Sequence, residues 1–428
     1  MKKNTFLIKS LFLGAALFFA SNTQAQVELK ILTEMGTRFS DVNDDGKGVT
    51  TAQYYDFATG ELTPMEPEAL LLTSINNDEN VAGIIEVNSN MEAGYKINGE
   101  WKGVGFTPQQ DPSNDQNFPY GISDDSRYIT GQGNEGVNYG GFLFDTQTEE
   151  LVVRLDPQGE AGASYGVNNN GIMVGWVDRP DGGGTLRVPA YITTDGEFHT
   201  IPENQSPTVS WDNAIYGINN NNVMVGSFDL EPFMYDLTAN TFTSFEIPQD
   251  ALSAAFSTIS DNGVAVGYAE VDFQVRDAII YHPTLGEQPL YLKDVLADNG
   301  ITVDTPDGYL GTAISVSSNG KYIAGWLNGP PMNAEGWMVN LDDLILGTAT
   351  LQTTTVSYYP NPVKDVLNLN TKEAISSVAV YNVTGQKVAN VSISENNTQV
   401  DFSNLASGVY FVEVKSNGSV ENLKVIKE

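Results

Sequence analysis

The sequence predicts an all-β protein, in which a β-propeller is followed by a small immunoglobulin-like antiparallel β-sandwich. Three observations lead to this prediction. Short phrases such as "YGVNNNGIMVGW" (Tyr165–Trp176) recur along the chain. The 428 residues include 41 Gly and 19 Pro, and long amphipathic helical patterns are scarce. After Leu346 the pattern changes to runs of alternating polarity separated by Asn-Pro, Thr-Gly and Ser-Asn-Gly turns.

The first element in chain order is a secretory signal, predicted over residues 1–25. Three lysines precede an apolar run, Leu11–Ala20, and small residues precede Gln26. This run is shorter than the about 20 apolar residues that span a bilayer. We therefore expect cleavage rather than anchoring, and no transmembrane segment in the mature chain.

The repeats come next, and their recurrence determines the fold class before any strand is assigned. Seven stretches share an Asn/Asp/Ser-rich turn followed by a short apolar run that usually ends in Gly. They are Val42–Thr50, Ile75–Gly83, Ile122–Gly131, Val167–Gly175, Ile218–Gly226, Ile259–Gly267 and Val316–Gly325. A spacing of about 40–50 residues is the size of a four-stranded propeller blade.

One copy shows how a blade is predicted. Ser164–Val167 and Ile172–Val177 are two strands, and Asn168–Gly171 is the tight turn between them, since Asn and Gly tolerate positive φ. Pro189–Thr194 and Glu197–Pro202 supply the third and fourth strands. The Gly that ends the second strand indicates a close approach, either between blades or of one backbone to another.

Seven copies favour seven blades. Six is the alternative, in which the first copy, with Thr50 in place of Gly, is only a lead-in. Val27–Leu32 alternates in polarity, and we expect it to complete the last blade and close the ring, which hides sheet edges. Tyr291–Ile301 is predicted to hold one short helix, stopped by Asn299 and Gly300.

The repeated phrase, followed by strands such as "GGFLFDTQT" (Gly140–Thr148), resembles the HAF-type extracellular repeats from about Phe39 to Leu344. This resemblance implies a propeller over residues 26–346 and says little about activity. A small, Thr-rich linker is predicted over residues 347–357.

Residues 358–428 resemble the C-terminal sorting domain of the bacterial type IX secretion system, the Por secretion tail. The resemblance lies in "YPNP", "VYNVTGQKV", "SGVYFVEV" and the basic ending "LKVIK", which occur in order. It assigns the sorting signal to Tyr359, Pro360, Asn361, Pro362, Gly385, Gly408, Tyr410, Lys424 and Lys427. An ordinary fused sandwich domain is the alternative.

The resemblance also implies an export route and a host. The host would belong to the Bacteroidetes lineage, and the partner would be the type IX secretion machinery. In this family the domain is recognised and usually removed. The protein is therefore expected to be secreted or held at the outer cell surface.

Composition excludes several classes of function. The chain has no Cys, so disulfides, thiolate metal sites and cysteine nucleophiles are excluded. The net charge is −33, nearly all of it in the repeat region, which disfavours nucleic acid and anionic membranes as partners. A basic partner or divalent cations would be attracted, although solubility is the simpler explanation of the charge.

One stretch matches the opening of a calcium loop. In "DVNDDG" the candidate ligands are Asp41, Asn43 and Asp45, which have the spacing of three oxygen ligands around a tight turn. The distal carboxylate is missing, because Ala52 stands where it is expected. The same stretch also reads as another hairpin turn, so calcium is an alternative, and no other cofactor is predicted.

Catalytic patterns are weak. His199 and His282 have no partner nearby in sequence, which disfavours imidazole metal chemistry and Ser-His-Asp catalysis. Carboxylate pairs such as Asp124–Asp125 and Asp304–Asp307 are expected by chance in so acidic a chain. No catalytic residue is assigned.

Three aromatic residues follow the repeat Gly and are the candidates for ligand binding: Trp176, Tyr268 and Trp326. Such rings can stack on sugars, but core packing is the default interpretation. Long loops between second and third strands, Asn134–Gly140, Asp178–Arg187 and Asn328–Glu335, are expected on one face.

The sequence thus favours a non-enzymatic exported module that binds a glycan or a protein. Two alternatives remain open, a polysaccharide-degrading enzyme and a structural surface module without a small ligand.

Overall fold

The computed structural model describes residues 27–34, 36–87, 90–180, 185–201, 207–208, 212–330, 334–341, 357–359, 362–382, 387–416 and 419–427. The predicted signal and nearly all of the predicted linker lie outside these residues. The chain divides into two compact units, which meet in sequence at Gly347 and Thr348. No helix among the described residues is long and apolar enough to cross a membrane.

The first unit consists of seven four-stranded antiparallel sheets, so the favoured count of seven blades is confirmed. Each blade is numbered in chain order, and its strands are counted outward from the channel. The strands of blades 1 to 3 are β2 (Phe39–Val42), β3 (Lys47–Thr50), β4 (Gln53–Asp56), β5 (Glu61–Pro64), β6 (Ala69–Ile75), β7 (Val81–Val87), β8 (Asn90–Ile97), β9 (Glu100–Gly103), β10 (Asn117–Ile122), β11 (Tyr128–Glu135), β12 (Asn138–Asp145) and β13 (Glu150–Arg154).

The remaining blades follow the same plan. Their strands are β14 (Gly162–Val167), β15 (Met173–Pro180), β16 (Thr185–Ile192), β17 (Phe198–Thr200), β18 (Ala214–Ile218), β19 (Val223–Phe228), β20 (Glu231–Asp236), β21 (Thr241–Ser244), β22 (Ser253–Ile259), β23 (Ala265–Asp272), β24 (Val275–Tyr281), β25 (Leu290–Tyr291), β26 (Thr312–Val316), β27 (Tyr322–Trp326) and β28 (Gly336–Asn340). The predicted helix between blades 6 and 7 is α1 (Leu292–Asp298).

The ring closes as the sequence predicts. Strand β1 (Glu28–Ile31) pairs with β28 in antiparallel register, with Leu29 opposite Val339 and Ile31 opposite Trp337. Blade 7 therefore takes its fourth strand from the beginning of the described chain, and blade 1 packs against blade 7. Because each sheet buries its faces against its neighbours, the hydrophobic core runs around the ring as a series of clusters between blades.

The turn of each repeat has four residues, which we call turn positions 1 to 4. Position 4 has positive φ in all seven copies, as the sequence predicts for Asn- and Gly-rich turns. The residues are Gly46, Glu79, Ser126, Gly171, Asn222, Gly263 and Gly320. The backbone N–H at position 4 donates to the carbonyl at position 1 in every copy.

The second unit is an antiparallel sheet of five strands folded around its own core, compatible with the predicted sandwich. Its strands are β29 (Ser357–Tyr359), β30 (Val366–Asn382), β31 (Lys387–Asp401), β32 (Gly408–Ser416) and β33 (Ser419–Lys427). The long β30 pairs with β29 and β31 near its start and with β31 and β32 near its end. Val363, Leu367 and Phe402 are fully buried between these strands.

Several predicted sorting residues can be placed in this unit. Tyr359 is 60% exposed. The Tyr410 hydroxyl donates to the Ala406 carbonyl at 2.8 Å, while its ring packs edge-on against Phe402. The remaining residues are strand positions or are not described: Gly408 pairs with Lys427, Phe411 pairs with Lys424, Pro362 precedes β30, and Pro360, Asn361 and Gly385 lie outside the described residues.

Candidate functional site

The first strand of every blade carries a β-bulge at the same place. The pairing register skips one residue at this place in each first strand, and the skipped residues are Ser40, Thr73, Tyr120, Tyr165, Tyr216, Ser257 and Ile314. Strand β6 has a second shift, at Leu70. A bulge redirects a side chain relative to the regular alternation of a strand. All seven of these side chains line the central channel.

The repeat Gly lies opposite this bulge. A Cβ at Gly175 would come within 1.9 Å of the Ala163 carbonyl oxygen in the first strand of the same blade. The corresponding distance is between 1.8 and 2.3 Å for Gly83, Gly131, Gly226, Gly267 and Gly325. The expected close approach is therefore one of backbone to backbone within a blade, not of blade to blade.

The wide end of the channel is a cavity of about 690 Å³. Blades 3, 4 and 5 contribute Tyr120, Tyr165 and Tyr216 from their bulges. The rings of Tyr165 and Tyr216 stack with their centres 5.5 Å apart, and the ring of Tyr120 packs edge-on against that of Tyr165 with a centre-to-centre distance of 5.6 Å. Tyr120 stays 40% exposed, so part of its ring faces open space. The volume lies in the range of ordinary ligand sites.

The three aromatic candidates predicted from the sequence lie at this end of the channel. Tyr268 and Trp326 line the cavity. The indole N–H of Trp176 donates to the Tyr165 hydroxyl at 3.0 Å, which places this ring just behind the channel wall. The first and last residues of the phrase Tyr165–Trp176 are thus in direct contact. Ligand binding by these rings remains a prediction.

Each of the three candidate rings contacts an arginine that was not predicted from the sequence. The guanidinium carbon of Arg276 lies 3.7 Å from the centre of the Tyr268 ring, and that of Arg38 lies 3.7 Å from Trp326. Arg187 lies 3.8 Å from Trp176. One face of each ring is therefore covered by a cation rather than open to a ligand, and all three arginines line the cavity.

These arginines form a positively charged surface within a very acidic protein. Among the described residues, none of the three lies within salt-bridge distance of a carboxylate. Burial, together with repulsion from Arg276, lowers the pKa of Arg38. Asp212 lines the same cavity, and its carboxylate accepts a hydrogen bond from the Tyr268 hydroxyl. Burial raises the pKa of Tyr216 and Tyr268, so both hydroxyls stay protonated at neutral pH.

The other end of the channel is narrow and polar, and it is built from the repeat turns. A hydrogen bond joins each turn to the next at all seven junctions, from Asp44 N to Asn77 Oδ1, Asn76 Nδ2 to Ser123 O, Asp125 N to Asn169 Oδ1, Asn169 N to Asn220 Oδ1, Asn220 N to Asp261 Oδ1, Asp261 N to Ser318 O, and Asn319 N to Asp44 Oδ1. The amides that the sequence explains as turn formers therefore also link the blades.

Asp124 crosses this narrow end. Its carboxylate accepts hydrogen bonds from Asn220 Nδ2 at 2.8 Å in blade 5 and from the Ser318 hydroxyl at 2.7 Å in blade 7. The residual space here is about 110 Å³. Burial raises the pKa of Asp124 despite these hydrogen bonds, and Asp261 repels the charge further. The narrow end therefore holds less open space than the wide end.

Replacing Asp124 with Asn should stabilise the protein at neutral pH. The pKa of Asp124 is higher in the folded protein than the value of 3.8 for the unfolded chain. The wild-type protein therefore loses stability as the pH rises from 3.8 to the folded-state pKa, and the loss persists at higher pH. The variant carries no such cost. Thermal melts at pH 8 and pH 3.5 should show a gain for the variant at pH 8 that disappears at pH 3.5. Asp78→Asn, in an exposed turn, is the control and should show no difference, and a gain at both pH values would contradict the assignment.

Two of the three predicted calcium ligands, Asp41 and Asn43, have side chains that are held by hydrogen bonds. Asp41 accepts from the hydroxyls of Ser74 at 2.6 Å and Ser315 at 2.5 Å, inside the channel. Asn43 Oδ1 accepts hydrogen bonds from the backbone N–H groups of Asp45 and Lys47, and Asp45 is exposed. Calcium binding remains a prediction. In the described part of the chain, no three His, Cys, Asp or Glu side chains cluster as a metal site.

Comparisons with known proteins bear on the second unit most directly. Residues 357–428 match the family described as the secretion system C-terminal sorting domain. A β-agarase A of Zobellia galactanivorans is 34% identical over 68 residues, which cover 15% of this chain and 13% of that enzyme. The C-terminal sorting domain directs this chain to the cell surface or the medium, and it implies contact with the type IX secretion machinery.

Solved structures resemble the fold at low sequence identity. PorZ, described as a surface component of the type IX secretion system of Porphyromonas gingivalis, is 12% identical with a TM-score of 0.41 over 89% of this chain and 56% of PorZ. An oligogalacturonate lyase of Vibrio parahaemolyticus is 11% identical with a TM-score of 0.45, over 76% of this chain and 96% of the lyase. These likenesses concern the fold alone.

Proposed function

We propose that this exported protein is a non-enzymatic binding module whose ligand enters the wide end of the propeller channel. The observation that carries the proposal is the set of seven bulges, which direct one side chain per blade into a single cavity. A channel that served only packing would be filled by these side chains. Instead three blades supply Tyr and three supply Ser or Thr, and a ligand-sized space remains.

The carboxylates near the channel do not favour catalysis. General acid–base catalysis by two carboxylates requires that both carboxylates face the bound substrate at a defined separation. In the channel, Asp41 is held by two serine hydroxyls, and Asp124 is held by Asn220 and Ser318 at the narrow end. Among the described residues that line the wide cavity, the carboxylates are Asp212 and Asp41, and Asp41 is the one already held by the two serine hydroxyls. This arrangement supports binding over hydrolysis.

Filling the channel should abolish binding. Ser257→Tyr places a ring at a bulge position where three other blades already hold Tyr, so we expect the variant to fold. Ser244→Tyr, on the exposed fourth strand of blade 5, is the matched control. On a glycan array, wild type and S244Y should share ligands that S257Y has lost, a decrease of at least about tenfold.

Three outcomes would contradict the proposal. Ligands retained by S257Y would place binding elsewhere, and an array without any ligand would reject a glycan-binding channel. The protein would be an enzyme if it released reducing or unsaturated ends from a bound polysaccharide and if Asp212→Asn abolished this release.

A further inference from the structure

The arginines at the channel mouth point to the chemical class of the ligand. We propose that the mouth binds an acidic saccharide, whose carboxylate or sulfate groups pair with Arg38, Arg187 and Arg276. This inference rests on the proposed function and deepens it.

The first argument is charge. The protein has a net charge of −33, yet three guanidinium groups share one cavity without a carboxylate at salt-bridge distance among the described residues. Arg38 and Arg276 are close enough to repel one another. An anion between them would relieve this repulsion, and it would do so in a partly enclosed space where charge interactions are stronger than in water.

The second argument is geometry. The carbon of each guanidinium lies over the face of an aromatic ring, 3.7 Å from the ring centre for Arg38 and Arg276 and 3.8 Å for Arg187. Stacking restrains the planar group while its N–H donors remain at the edge. Carboxylate and sulfate oxygens accept such paired donors well. The rings therefore hold the arginines ready for an anion without neutralising them.

The third argument is the remaining wall. Tyr120 offers an open ring, and the bulge residues Ser40, Thr73 and Ser257 place small polar side chains around the cavity. A sugar presents an apolar C–H face to a ring and hydroxyls to polar groups, which fits this mixture. An acidic peptide would use the arginines but has less need of the aromatic wall, so we favour the saccharide.

The test measures binding to the purified full chain by calorimetry. The probes are a tetragalacturonate, its neutral methyl ester, a sulfated galactan tetrasaccharide, its desulfated counterpart, and tetraglutamate. We expect one acidic sugar to bind at least about tenfold more tightly than its neutral form, and binding to weaken as NaCl is raised. The two acidic arms distinguish carboxylate from sulfate.

Arginine variants then locate the site. Arg38→Gln and Arg276→Gln should each weaken binding of the preferred acidic sugar by about tenfold to a hundredfold. Arg127→Gln is the matched control, because Arg127 also stacks on a ring but pairs with Asp145 at 3.0 Å. It should bind as the wild type does.

The outcomes separate this inference from the proposed function. If neutral sugars bind equally well and only S257Y reduces binding, the channel is the site but the acidic class is wrong. Tetraglutamate bound as tightly as the sugars would overturn the saccharide. If acidic sugars still bind to S257Y, both proposals fail. If no probe binds at all, the acidic class is wrong, and the glycan array alone decides the proposed function.

Discussion

Replacing Gly175 with Ala should lower the free energy of unfolding of the repeat unit by about 3 kcal/mol or more. The added methyl group would lie 1.9 Å from the Ala163 carbonyl oxygen, where no rotamer change can relieve the contact because the neighbour is backbone. The bulge at Tyr165 must then open or the two strands must separate. Since the other five repeat glycines meet a carbonyl in the same way, the effect should recur in their blades.

The measurement uses tryptophan fluorescence during urea unfolding of the full chain. All five Trp residues precede residue 347, so this signal follows the repeat unit and not the C-terminal unit. The control is Gly166→Ala in the same blade, where the nearest atom to the added Cβ is a Val174 methyl group at 3.5 Å. It should cost less than about 1 kcal/mol. Equal losses in the two variants would show that glycine flexibility, not the close carbonyl, explains the repeat.

The repeat unit was largely predictable because its information is local. An Asn- or Gly-rich turn between two short apolar runs requires positive φ at a fixed place, and the structure has it in all seven copies. The closing strand was predictable for the same reason, since Val27–Leu32 alternates in polarity but has no hairpin partner of its own. Such features depend on a few neighbouring residues.

The site was only partly predictable because it is not local. Trp176, Tyr268 and Trp326 could be selected by their common place after the repeat Gly. Their arginines could not, because Arg38 precedes a first strand while Arg187 and Arg276 lie in third strands. Arg187 and Arg276 are diagonal neighbours of their rings across one hairpin, and only the circular arrangement brings all three arginines into one cavity. The bulges were missed as well, although Tyr before Gly in "YGI" and "YGV" was the available signal.

The linking role of the turn amides was missed for a different reason. Asn168 and Asn219 were already explained as turn formers, so nothing in the sequence required a second role. In the structure, the Nδ2 group of each also donates to a carbonyl in the next turn, at 3.0 and 2.9 Å. One side chain thus makes hydrogen bonds both within its own turn and to the next blade. Only the turn produces a recognisable sequence pattern.

Disrupting the pairing of β1 with β28, which closes the ring, should also lower the free energy of unfolding by a large amount. Leu29 and Ile31 pack against the cluster that contains Trp337, Val339 and Leu341. Changing both Leu29 and Ile31 to Asp would place two carboxylates against this buried surface, at an expected cost of about 3 kcal/mol in the free energy of unfolding. Leu252→Asp, at a position that is 60% exposed, introduces the same chemistry on the surface and should be nearly neutral.

The loss should also be localised, and this distinguishes a closure from a general weakening. Strand β1 joins residues about 300 positions apart in the chain, so its pairing is made only after the seventh blade is in place and carries the entropy cost of closing a long loop. When β1 is released, β28 becomes a free edge of blade 7, and Met338 on that strand shares a buried cluster with Phe39 and Val42 of blade 1. Amide hydrogen exchange should therefore rise in blades 7 and 1 before blades 3 to 5 respond. A uniform rise around the ring would instead mean that the seven sheets unfold as one unit and that β1 is no special point of opening.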